Sequence, residues 1–117
     1  MPVVTVSCLP KSSEKKLQRL HKAIVRTLVS IKVLNIFNEK DVTCLFPVDM
    51  MRYGLGTEII ISVDNLFIKP ERTSKVRKRL ARDLGMAVKQ LFPKAELVEC
   101  FVHSFDPNQG FWSSSCE

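Results

Sequence analysis

The stretch Met1-Pro2-Val3-Val4-Thr5-Val6 sets a proline directly behind the initiator and at the head of a β-rich run. Methionine removal is usual when the second residue is small, and proline counts as small. Pro2 would then carry a free secondary amine, whose lone pair is held in place by the ring. A free α-amino group titrates close to neutrality, and burial in an apolar pocket lowers an amine's pKa. Together these describe a general base near the operating pH. Behind the proline, alternation predicts a first strand over about residues 3–9, with Val4, Val6 and Cys8 on one face and Thr5 and Ser7 on the other.

Working outward, Pro10-Lys11-Ser12-Ser13 reads as a turn with a serine N-cap. Leu17, Leu20, Ile24, Leu28 and Ile31 then recur at helical spacing, with Lys15, Lys16, Arg19, Lys22 and Arg26 between them. This is an amphipathic helix with a basic outer face, and His21 stands at its boundary. Residues 35–40 read as a loop, and residues 42–48 as a second strand. Tyr53-Gly54-Leu55-Gly56 suggests a hairpin or a turn of unusual φ. The pattern then restarts: a strand over 58–63, a connector over 64–73, and a second basic amphipathic helix marked by Val76, Leu80, Leu84, Val88 and Leu91 and closed by Pro93. A fourth strand over 97–102, a turn over 106–110 and a short closing strand at Phe111-Trp112 complete it.

The chain therefore reads as β-α-β written twice, an α/β (α+β) fold in one domain over 1–117, with repeats of about 56 residues spanning roughly 2–56 and 57–112. Phe46 and Phe101 occupy matching places, as do Ser13 and Thr73 ahead of the helices. Crossover handedness puts both helices on one face of a four-stranded sheet. The opposite face is left bare and needs another layer, a ligand or other subunits.

Composition narrows the class. At 117 residues and 45% hydrophobic, the chain suits one globular domain. Its longest aliphatic run, Ile59-Ile60-Ile61, is far too short to span a membrane, and the N-terminus lacks the pattern of a signal peptide. Cys8, Cys44, Cys100 and Cys116 form no C-x-x-C pair, so they are expected as small core residues in a reducing cytoplasm, with no metal site and no cofactor. A net charge of +6, from 18 basic and 12 acidic residues, suits an anionic partner.

A Pro2 that leads a duplicated β-α-β resembles the tautomerase superfamily, which includes 4-oxalocrotonate tautomerase and macrophage migration inhibitory factor. Pro2-Val3-Val4-Thr5-Val6 looks like the family's first strand with its catalytic amino-terminal proline. Tyr53-Gly54-Leu55-Gly56 looks like the aromatic-Gly-x-Gly hairpin of small bacterial members. Phe101-Val102-His103 through Gly110-Phe111-Trp112 looks like the end of the longer ones. The resemblance implies Pro2 as general base or acid and Lys11 as the holder of a substrate carboxylate. It implies Tyr53 as a pocket wall, and Phe101 and His103 as contributions from an adjacent subunit. His103 stands where longer members have asparagine. Thr43 stands where bacterial ones have a second arginine, a role that Arg52 could take. The family also implies a homotrimer with its sheets facing inward.

The expected activity is that of a tautomerase or isomerase. Pro2 would move a proton on a small 2-oxo or enolic carboxylate, provided that Met1 is removed. The alternative is a non-catalytic basic ferredoxin-like module that binds nucleic acid or a protein partner. Nucleic acid is not the expected partner, because the strands lack an RNP1-like run and the cations lie on the helices.

Overall fold

The computed structural model describes residues 2–48 and 58–114. Its order is β1 (Val3–Ser7), α1 (Glu14–Ser30), β2 (Thr43–Leu45), β3 (Glu58–Phe67), α2 (Ser74–Leu91) and β4 (Leu97–Phe105). The strands form one sheet in the order β2-β1-β3-β4. The central pair β1·β3 is antiparallel, while β2 lies parallel to β1 and β4 parallel to β3.

Each helix starts where a hydroxyl can satisfy an orphan backbone donor. Ser13 accepts from the Lys16 N–H at 3.2 Å, and Thr73 accepts from the Val76 N–H at 3.3 Å. Such a cap contributes about 1 kcal/mol. α2 stops at Leu91, two residues before Pro93, which cannot extend a helix. Leu20, Ile24 and Leu28 of α1 are fully buried, and so are Leu80, Leu84 and Val88 of α2, sixty residues on. Both stripes close on the same sheet face, against Val4, Val6, Ile59, Ile61 and Val63. The alternate residues Val3, Thr5, Ile60, Ser62 and Phe101 point to the other side, where no layer formed by the described residues covers them.

Arg72 ties the two halves together at one end of the sheet. Its guanidinium donates to the Phe67 carbonyl at 2.9 Å and to the Leu34 carbonyl at 3.0 Å, while its Nε is buried without a partner. Burial lowers its pKa, and nearby Glu71 partly offsets this.

Several boundaries differ from the sequence reading. β1 ends at Ser7, because Cys8 turns into the left-handed region at φ 66°, so Cys8 does not continue the Val4–Val6 face. β2 keeps only three residues. β3 runs on to Phe67 instead of stopping at Val63: an irregularity between Val63 and Leu66, with Asn65 at φ 60°, absorbs the break and lets pairing with β4 resume. β4 extends to Phe105 for the same reason. The loop at 35–40 contains the start of a 3-10 turn, Glu39–Asp41, capped by Asn38. Phe111-Trp112 adds no strand. Gly110, at φ 113°, redirects the chain so that Phe111 meets Phe67 edge-on, ring centroids 4.9 Å apart. The Tyr53–Gly56 hairpin lies outside the described residues.

Candidate functional site

Pro2 is buried at the head of β1, and its carbonyl accepts from the Thr43 N–H at 3.0 Å. The bond joins the residue before β1 to the start of β2. One residue on, Val3 is level with Thr43 on one side and Asp64 on the other. Position 64 escaped the sequence reading, which assigned it to a connector; only the extension of β3 sets its carboxylate beside the head of β1. Were the Pro2 nitrogen a free amine, a carboxylate at that register would favour its charged form and burial its neutral form.

Phe101 and His103 lie on the uncovered sheet face. Phe101 is level with Ser62, which is level with Thr5, so it stands two strands from β1. At ~4.8 Å per strand that separation is about 10 Å. Phe101 is 47% exposed and His103 is exposed as well.

Lys11 is exposed and sits past the opposite end of β1. The five residues of that strand alone span about 17 Å at ~3.3 Å each, so one chain does not bring Lys11 over its own Pro2. β2 runs out and β3 begins at the Lys11 end as well, since Thr5 is level with Leu45 and Ser7 with Ile60. Arg52 and Tyr53 fall between those strands in sequence and lie outside the described residues. Near Lys11 a cavity of about 430 Å³ opens between Pro10, Ile59, Phe92 and Ala95, with Lys16 and Lys94 at its rim. The Lys16 ammonium stands 4.4 Å from the centroid of the Phe92 ring.

Cys44 and Cys100 pack against the core, and burial raises their pKa to about 11 and about 12. A thiol whose folded pKa lies above its unfolded value of 9.0 favours the fold below that value and loses the contribution as pH rises towards 11 and 12. At pH 8 both should stay protonated, and iodoacetamide should label them at an appreciable rate only after unfolding, as peptide mass mapping can check. Among the described residues, no three His, Cys, Asp or Glu side chains cluster as metal ligands, and no helix is long and apolar enough to cross a membrane.

Several solved structures resemble the chain over nearly its whole length. Pt0534, inactivated by 2-oxo-3-pentynoate, superposes with a TM-score of 0.70 at 14% identity, over 96% of this chain and 93% of its own. A wild-type fused 4-OT solved as a symmetric trimer gives 0.66 at 12% identity, covering 96% and 92%. Malonate semialdehyde decarboxylase gives 0.62 at 12%, covering 96% and 89%. No protein-family model and no curated protein sequence matches the chain. At these identities the likeness shows the fold: a four-stranded mixed sheet under two helices.

Proposed function

We propose that the chain is a tautomerase- or isomerase-type enzyme. Its base and acid is the Pro2 nitrogen, freed by removal of Met1, and its substrate is a small 2-oxo or enolic carboxylate. The observation that carries this reading is the buried Pro2 at the head of an inner strand, in a fold shared with superfamily enzymes. The amine takes a proton from the carbon next to the carbonyl and returns it to the oxygen of the resulting enolate, giving the enol, or runs the same transfer in reverse. Cationic residues divide the remaining work: Lys11 holds the carboxylate, and a second cation stabilises the enolate as charge develops.

The working unit is a homotrimer in which the uncovered sheet faces meet. Such an assembly buries Leu45, Leu97 and Phe101, each about half exposed in the single chain. It also gives Pro2 the cation that its own chain keeps at the far end of β1. Lys11, and Arg52 and Tyr53 from the segment between β2 and β3, serve the Pro2 of a neighbour, while Phe101 and His103 line the shared wall.

The test is covalent. The alkynyl ketone 2-oxo-3-pentynoate should add to the Pro2 nitrogen, forming a C–N bond as the amine proton moves to carbon. The adduct should map to the amino-terminal peptide and be absent from protein acetylated at that nitrogen. An unmodified amino-terminal peptide in Met1-free protein would overturn the reading. Lys11→Ala should raise KM for an anionic substrate about tenfold and leave kcat nearly unchanged, because a carboxylate contact acts alike in ground state and transition state. Steady-state kinetics decide it, and an unchanged KM moves the role to Arg52.

A further inference from the structure

The two helices carry more than the whole positive charge of the protein. α1 has five cations and one acid, and α2 has six and one. The helical layer is therefore +9 against a chain total of +6, which leaves the remainder at −3. The acid of α2 is already engaged: Asp83 pairs with Arg79 at 3.5 Å and with Arg82 at 3.3 Å.

Between the helices runs a groove of about 460 Å³. Arg19, Lys22, Arg26 and Thr27 line it from α1, and Ala87 and Gln90 from α2. The three cations are exposed and form no ion pair among the described residues, and the groove's lining contains no carboxylate. Arg19 and Arg26 are separated by about 10 Å along the helix axis at 1.5 Å per residue. A duplex strand advances ~3.4 Å of axis per phosphate, so that length faces about three phosphates.

We propose that this groove and its basic rims bind the phosphate backbone of a nucleic-acid duplex without reading bases. Neither helix contains a phenylalanine, tyrosine or tryptophan on which an unpaired base could stack, and His21 of α1 does not line the groove, which disfavours single strands. The only large exposed apolar side chain described on the helices is Met86, and one such residue does not make the apolar face that a membrane-seated helix buries. The strands carry no nucleic-acid signal in their sequence, and the helix groove exists only once α1 and α2 are packed together. The proposal is independent of the role given to Pro2, and the helical layer stays outside a trimer closed through its sheets.

The experiment is a salt titration of the whole protein against a labelled random-sequence DNA duplex of about two helical turns. A second variant controls for net charge. Wild type should bind, with log K falling linearly in log salt. Arg19→Gln/Lys22→Gln/Arg26→Gln should flatten that slope by about three, at ~0.9 for each phosphate no longer neutralised, and weaken binding more than tenfold at low salt. Lys40→Gln/Lys69→Gln removes two charges from outside α1 and α2 and should change the slope by less than one. No binding by wild type, equal effects of the two variants, or tighter binding to single strands or phosphatidylserine vesicles at equal phosphate would each overturn the proposal.

Discussion

Acetylation of the Pro2 nitrogen, or retention of a residue ahead of it, is expected to abolish turnover of an enolised 2-oxo acid such as phenylpyruvate. An amide nitrogen has no basicity, so either change removes the base while leaving β1 and its bond to Thr43 intact. Pro2→Ala keeps a terminal amine, but a primary one with more rotational freedom. It should lose roughly 10²-fold or more in kcat/KM, the scale of one positioned acid–base group. The pH profile carries the mechanism. An exposed secondary amine is mostly protonated at pH 7 and idle, whereas burial destabilises the ammonium. Activity should therefore rise with pH through a pKa below that of free proline. Asp64 works the other way, so Asp64→Asn should move that limb to lower pH. Equal rates for blocked and free protein would show that the amine is not the base.

Ile60→Asp is expected to convert the proposed homotrimer to monomer at micromolar concentration and to remove activity with it. Ile60 lies on the central strand β3, level with Ser7 and Glu99, and faces away from the helices between the inward Ile59 and Ile61. A carboxylate there costs the single chain little, because water still reaches it. Buried between sheets without a partner, it costs several kcal/mol, and the closed trimer meets that cost three times. Sedimentation should show the monomer while the helical circular dichroism is kept, since no residue of the helix-facing core has changed. A variant that stays trimeric would mean that the uncovered face is not the interface.

The parts of this fold legible in the sequence are those set by periods of two and near four. Val4 and Val6 alternate with Thr5, and Leu20, Ile24 and Leu28 recur every four residues, as do Leu80, Leu84 and Val88; local sterics and burial impose those periods whatever the rest of the chain does. Ser13 and Thr73 could be assigned as caps for the same reason, because a cap acts within one turn. The ends of elements were less legible. Nothing local marks Cys8 as left-handed or lets β3 continue past Asn65; the pairing of β3 with β4 decides that, and with it the place of Asp64.

The site divides along the same line. That Pro2 heads a β-strand is a property of the sequence alone, and so is the chemistry a free proline nitrogen can do. What lies beside that nitrogen is not. The sequence puts Lys11 only nine residues from Pro2, yet an extended strand converts nearness in sequence into distance, while pairing brings Thr43 and Asp64 next to Val3 from far along the chain. Residue types and their periods are local and survive in the bare sequence. The neighbourhood of Pro2 and the groove between two helices are products of long-range packing, so only the tertiary structure decided them.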